Sequence, residues 1–203
     1  VSAGDGELLA AFAEAEPREQ AADPGAPYPE ILARVFGNIE QRWGVEPDRG
    51  EAERFGASIS DWPAFPDSAA ALDELEQRYR LVVLSNVDRA SFRLSNDRLG
   101  VEFDLVVTAQ DVGSYKPAPG HFRRALELLA ERGVAQGEVL HTAQSLYHDI
   151  EPAHRLGLAT AWINRRGGVG GATRAPDEPD LRPDFEAPSL AAFAELVRRD
   201  AEA

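Results

Sequence analysis

Apolar residues recur at helical spacing through the first part of the chain. Residues 7–16 place four apolar side chains on one helix face, which are Leu8, Leu9, Phe12 and Ala15. A second helix is predicted over residues 30–43, where Gly44 ends the pattern, and a third over about residues 51–60. Because no segment here alternates with a period of two, residues 1–61 are predicted to form a helical domain.

From residue 62 onward, short apolar runs alternate with helical stretches. Strands are predicted over residues 81–84, 104–108, 139–142 and 158–163, with a short edge strand at 184–186. Helices are predicted over residues 69–79, 90–99, 119–131, 150–156 and 189–198. This alternation predicts an α/β core with a Rossmann-like parallel sheet over residues 62–203. The glycine-rich stretch 165–182 is interpreted as a surface loop.

The composition and net charge exclude some classes of binding partner. The chain of 203 residues has a net charge of −14, which repels phosphate backbones and anionic membranes, so neither nucleic acid nor membrane is expected as a partner. It has no cysteine, no apolar run near the roughly 20 residues that span a bilayer and no visible secretory signal, so a cytoplasmic protein is expected. An enzyme of this charge that acts on anions would need local positive charge in its site.

Polar side chains follow three of the predicted strands, and the carboxyl ends of parallel strands meet at one edge of a sheet. They are Ser85 and Asn86, then Asp111, Tyr115 and Lys116, then Gln144, Ser145, His148 and Asp149. Such a set can hold an anion and position a reacting group.

Each piece also has a simpler interpretation. Ser85-Asn86 could be a turn, Lys116 a solvated lysine, and Asp149 a helix cap. The histidines lack the spacing of a zinc site, so His148 is interpreted as a structural or surface residue and His121 as a surface residue.

Three segments in this order resemble the motifs of the haloacid dehalogenase superfamily. LVVLSN resembles its second motif, GSYKPAPGHF its lysine motif, and HTAQSLYHDIEPAHRLGLATAWINRR its fourth motif and following strand. The resemblance covers about residues 62–166. It implies that residues 1–61 form a helical cap domain over the α/β core.

Within the superfamily, the chain is similar to the 2-haloacid dehalogenases. Phosphatases of the superfamily hold Mg²⁺ with acids in the fourth motif, where this chain has the neutral amide of Gln144. The resemblance therefore implies hydrolysis of short 2-haloalkanoic acids through an aspartyl ester, with no cofactor and no metal ligands. Its partner would be a small carboxylate substrate, and a homodimer is an analogy with relatives.

The same resemblance implies roles for individual residues. Lys116, Asp149, Ser85 and Asn86 would be catalytic. Substrate-binding roles would fall on Gln144, Ser145, Tyr115 and Phe122. Phe122 stands where a tyrosine is common in that group, which departs from the pattern.

The family's nucleophilic aspartate, in a D-x-x-G-T-type motif on the central strand, has no counterpart in these residues. We therefore expect that segment to be supplied from before Val1 or by another chain. Two alternatives stay open, a Mg²⁺-dependent phosphatase and a catalytically inactive binding module.

Overall fold

The computed structural model describes residues 3–167, 174–178 and 180–200. Its first part is helical, with α1 at Asp5–Ala22, α2 at Tyr28–Arg42, α3 at Arg49–Ala57 and a 3₁₀ turn at Ser58–Asp61. The apolar face of α2 is completely buried at Ile31, Leu32 and Val35. These side chains pack with Tyr115 of the following part of the chain, so the helices lie directly against the α/β core.

Strands and helices then alternate. The strands are β1 at Val82–Ser85, β2 at Leu105–Thr108, β3 at Leu140–Ala143, β4 at Ala159–Ile163 and β5 at Phe185–Ala187. The helices are α4 at Ser68–Glu76, α5 at Arg89–Leu99, α6 at Ala109–Val112, α7 at Gly120–Ala130, α8 at Glu151–Arg155 and α9 at Leu190–Asp200. A 3₁₀ turn at Gln136–Glu138 precedes β3, and a π-helical turn at Leu146–Ile150 follows it. The predicted α/β fold class is confirmed.

The parallel strands form two separate groups. β1 pairs with β2, in a register that sets Ser85 opposite Thr108. β3 pairs with β4, which pairs with β5, and all of these pairs are parallel. Within the described residues, neither β1 nor β3 has a strand on its other side. All four residues of β1 are only half-buried, although its sequence is typical of a buried strand.

Helices cover both faces of the strands. Ala161 and Ile163 of β4 pack against α4 and α9. On the opposite face, Leu84 of β1 packs with Phe122 of α7 and Ala153 of α8. The carboxyl end of β1 therefore packs against α7 and α8.

No helix in the described part of the chain is long and apolar enough to cross a bilayer. The predicted glycine-rich loop is described only at its two ends, because residues 168–173 and 179 lie outside the described residues. Its end at 174–178 is attached to α8, where the buried carboxylate of Glu151 accepts hydrogen bonds from the backbone N–H groups of Asp177 and Glu178. The division into domains at residue 61 stays a prediction.

Candidate active site

A buried ion pair joins the two groups of strands. Lys116 Nζ donates to Asp149 Oδ1 at 2.6 Å and to the carbonyl oxygen of Leu84, in β1, at 2.7 Å. The two side chains are only 8% and 11% exposed. Lys116 is also the only lysine among these 203 residues. A compact ammonium on a flexible stem can reach both oxygens, whereas a planar guanidinium needs a wider site.

The backbone of Lys116 is held by the amide of Asn86. Asn86 Oδ1 accepts from the N–H of Lys116 at 2.7 Å, and Asn86 Nδ2 donates to its carbonyl oxygen at 3.1 Å. The residue that follows β1 therefore fixes the loop that carries the lysine. This pair brings together the second and third motifs that the sequence singled out.

Asp149 lies in the π-helical turn after β3. The turn is defined by a hydrogen bond from Ile150 N to the carbonyl oxygen of Ser145 at 3.2 Å. Burial alone would raise the pKa of Asp149, but Lys116 and a hydrogen bond from His141 Nε2 at 3.2 Å outweigh it and hold that pKa well below its ordinary range. Asp149 is therefore a stable anion that accepts a proton poorly.

His148 is the residue whose placement the sequence did not predict. It is 7% exposed, and its Nδ1 lies 3.3 Å from Ser145 Oγ. Its Nε2 has no hydrogen-bond partner among the described residues. Burial, aided by Lys116, lowers the pKa of His148 to about 4, so the imidazole is neutral at neutral pH.

The prediction that His121 lies at the surface is wrong. The residue is completely buried, because the first turn of α7 packs beneath the end of β1 and brings His121 Nε2 to 3.0 Å from the carbonyl oxygen of Ser85. Burial lowers the pKa of His121 to about 4, with Lys116 as the second cause. The neutral ring of His121 therefore contacts the carboxyl end of β1.

A cavity of roughly 590 Å³ opens above the ion pair. Its polar lining consists of Asn86, Lys116, His148 and Asp149 from the core, with Glu16 and Tyr28 from the helices. Its apolar lining consists of Leu8, Leu9, Phe12, Phe36, Ile39, Phe55 and Trp62. Three of the eight predicted site residues, Lys116, Asp149 and Asn86, thus meet at one cavity.

The other five predicted residues do not line the cavity. The hydroxyl of Ser85 accepts from Val87 N at 3.4 Å, and that of Ser145 accepts from His148 N at 3.0 Å. Gln144 is exposed, and its backbone oxygen accepts from Trp162 Nε1 at 3.0 Å.

The two aromatic residues among these five have packing positions. Tyr115 is buried against α2, and its hydroxyl donates to the carbonyl oxygen of Ala26 at 2.6 Å. Phe122 is 1% exposed and meets the ring of His141 edge-on, with centroids 4.9 Å apart. The catalytic role of Ser85 and the substrate-binding roles of the other four residues therefore stay predictions.

The residues present do not by themselves fit a Mg²⁺ site. No group of three or more His, Cys, Asp or Glu side chains is placed to hold a metal within the described ranges. The carboxylate of Asp149 already accepts from Lys116 and His141, and the side chain of Gln144 is exposed. Mg²⁺ prefers several charged oxygen ligands, so no step proposed below uses a metal.

Fold and site together define a hydrolase of the haloacid dehalogenase type. The model of the haloacid dehalogenase-like hydrolases matches residues 5–157. The chain belongs to this family, and the resemblance that the three motifs indicated is confirmed.

The curated relatives include both phosphatases and a dehalogenase. The chain is 36% identical over 106 residues to the N-acylneuraminate-9-phosphatase of Rattus norvegicus, covering 51% of this chain and 42% of the relative. It is 30% identical over 162 residues to the phosphoserine phosphatase of Thermus thermophilus, covering 77% and 61%. It is 30% identical over 141 residues to the (S)-2-haloacid dehalogenase of Pseudomonas sp. strain YL, covering 68% and 55%. The chain thus spans about half the length of these relatives.

Solved structures share the fold. The L-2-haloacid dehalogenase of Xanthobacter autotrophicus superimposes with a TM-score of 0.77 at 21% identity, covering 95% of this chain and 86% of that one. A dehalogenase with an intermediate complex gives 0.78 at 20% identity, covering 97% and 85%. At this level of identity the similarity establishes the fold alone.

Proposed function

We propose that this chain belongs to an enzyme that hydrolyses 2-haloalkanoic acids and releases halide through an aspartyl ester. The observation that carries the proposal is the buried Lys116–Asp149 pair at the polar end of an otherwise apolar cavity. Such a cavity suits a small acid that presents one carboxylate and one carbon–halogen bond. The 30% identity to a (S)-2-haloacid dehalogenase supports this substrate class.

The nucleophile would come from a strand between β1 and β3. Both strands leave one side unpaired within the described residues, and buried unpaired backbone groups cost about 1–3 kcal/mol each. A strand in that space would pair with both and end beside Lys116. An aspartate at its end, as the sequence comparison with the superfamily predicts, would meet the ammonium.

The reaction would run in two steps. A carboxylate oxygen of the nucleophilic aspartate bonds to C2 of the substrate, and the C2–halogen bond breaks, with its electron pair leaving as halide. Water then adds to the carbonyl carbon of the ester and loses a proton. The bond between the carbonyl carbon and the ester oxygen then breaks, and the departing oxygen takes the second proton of the water, which restores the carboxylate and releases the 2-hydroxy acid.

The chain's own residues divide these tasks. Lys116 would pair with the nucleophilic or the substrate carboxylate, and Asn86, with Ser85, would donate to the substrate carboxylate. The lowered pKa of Asp149 makes it a poor base for water. Its role would therefore be to hold the ammonium of Lys116 in place. The imidazole of His148, which is neutral and lines the cavity, would position the water and relay its proton to solvent.

The N-terminal helices would act as the cap. All apolar residues that line the cavity, except Trp62, lie in these helices. The helices would therefore exclude bulk water from the ester.

Halide release from 2-chloropropionate by the full-length protein, with a chelator present, tests the proposal. We expect turnover that is unchanged by the chelator and lost in Lys116→Met. A single turnover in ¹⁸O-labelled water should give an unlabelled 2-hydroxy acid, since its oxygen comes from the enzyme carboxylate. Label in the product would contradict the ester, and activity only on phosphate esters with added Mg²⁺ would favour a phosphatase.

His148→Asn separates the role given to His148 from a packing role. The ester should form at a near-normal rate in this variant and hydrolyse slowly, so that halide appears as a burst of about one equivalent. A variant in which both steps slow equally would contradict the assignment.

A further inference from the structure

The cavity has a polar end and an apolar wall that come from different parts of the chain. The polar end lies on the core, around Lys116, whereas the wall comes from residues 8–62. Within the wall, the rings of Phe36 and Phe55 lie 5.2 Å apart between centroids and form a continuous aromatic surface. An occupant therefore meets the Lys116–Asp149 ion pair at one end and a mostly apolar surface along the wall.

The charges of the cavity limit its occupant to one anionic group. Lys116 is the one cationic side chain among the lining residues that the structure describes. Glu16, also in the lining, is 6% exposed and accepts from the hydroxyl of Tyr28 at 2.5 Å. A second anionic group on the ligand would lie near this carboxyl group without a cation, and burying such a charge is costly.

The wall leaves apolar surface uncovered. Leu8 and Trp62 line the cavity and are 40% and 42% exposed. A ligand with an apolar group would cover them, whereas the hydroxyl groups of a sugar or nucleotide would lose hydrogen bonds to water against this wall. A short acid such as 2-chloropropionate would leave most of this apolar wall uncovered.

We propose that the preferred substrate is a monoanionic 2-haloacid whose second substituent is a large apolar group, an aryl ring or an alkyl chain of about four carbons or more. The carboxylate would face Lys116, and the apolar group would lie along Phe12, Phe36 and Trp62. The proposal rests on the proposed function for the reacting halogen, while the size and charge preference can be measured without any reaction.

Binding of unreactive 2-hydroxy acids, the products of the reaction, gives that measurement by isothermal titration calorimetry on the full-length protein. Each additional buried methylene group strengthens binding roughly fourfold, so 2-hydroxyhexanoate should bind roughly 50-fold more tightly than lactate. Mandelate, like 2-hydroxyhexanoate, should bind more tightly than lactate. The dianion malate should bind no more tightly than lactate. Equal affinity for lactate and 2-hydroxyhexanoate, or tighter binding of malate, would overturn the proposal.

Substitution of an exposed wall residue tests the placement of the ligand. Trp62→Ala should weaken 2-hydroxyhexanoate binding by about tenfold and leave lactate within about twofold. Tyr79→Ala is the matched control, because Tyr79 is 53% exposed and does not line the cavity. An equal loss for both ligands in Trp62→Ala, or the same loss in Tyr79→Ala, would contradict the placement.

The two proposals fail differently. If size-dependent binding is found but no 2-haloacid loses halide, the proposed function is wrong and the apolar ligand class stands. If halide is released fastest from 2-chloropropionate and binding does not depend on size, the substrate class is wrong and the proposed function stands.

Discussion

Removal of the positive charge at Lys116 should destabilise the fold strongly. In Lys116→Met, the carboxylate of Asp149 stays buried and keeps only the hydrogen bond from His141. Exposed ion pairs contribute about 0–1 kcal/mol, whereas loss of one partner from a buried pair costs about 3–5 kcal/mol. The pair here is 8% and 11% exposed, so the larger range applies. Since domains are stable by about 5–15 kcal/mol, the variant should still fold.

Urea denaturation followed by circular dichroism measures this loss, and the pH dependence identifies its source. In the parent protein the pKa of Asp149 is lowered, so the stabilisation from its charge is complete above the ordinary aspartate pKa of about 4 and is lost only as pH falls below it. Parent stability from this group is therefore constant between about pH 7.5 and 5. In Lys116→Met, burial is no longer opposed and should raise that pKa, so the variant should regain stability as pH falls over the same range.

A double-mutant cycle provides the control. Lys116→Met combined with Asp149→Leu buries no charge, so it should be more stable than Lys116→Met alone. A loss below about 1 kcal/mol in Lys116→Met, or additive losses in the double variant, would refute a strongly coupled buried pair.

Three further variants test other parts of the structure. Burial raises the pKa of Glu16, so the charged carboxylate costs the parent stability as pH rises, and in thermal unfolding Glu16→Gln should become more stable relative to the parent from pH 4 to pH 8. Asn86→Ala loses both hydrogen bonds to the backbone of Lys116, so urea denaturation should show a free energy of unfolding that is lower by about 1–3 kcal/mol. In the control Asn38→Ala, at an exposed position, the free energy of unfolding should change by no more than about 0.5 kcal/mol. Glu151→Gln weakens the acceptor of two backbone N–H groups, so hydrogen exchange of segment 174–178 should accelerate; unchanged exchange would contradict this anchor.

Periodicity in the sequence was sufficient to place most helices and strands, and it failed where a long-range contact decides the outcome. The apolar spacing indicated the first helix over residues 7–16, whereas α1 extends over Asp5–Ala22. The continuation runs through Pro17, and its buried residue, Gln20, is polar, so this part of the helix adds nothing to the apolar periodicity. The π-helical turn was also missed, because a single additional residue within a turn leaves no periodic signal.

The site was predictable to the extent that parallel strands end at one edge. That rule placed Lys116, Asp149 and Asn86 together, although they are far apart in the chain. The rule does not indicate which way a side chain points, so the orientation of His148 toward the cavity and the burial of Tyr115 and Phe122 could not be derived from it. The apolar wall was visible only as one face of a helix, since the same pattern predicts ordinary core packing.

The half-buried edge of β1 also affects how the protein behaves in solution. An uncovered strand edge displays a row of free N–H and C=O groups that any extended peptide can bind, including the same strand of a neighbouring molecule. Because β1 and β3 each lack a neighbouring strand on one side in the part of the chain that the structure describes, preparations of these 203 residues alone should self-associate as their concentration rises. Whatever occupies the space between the two strands would therefore serve the enzyme twice, in chemistry and in solubility.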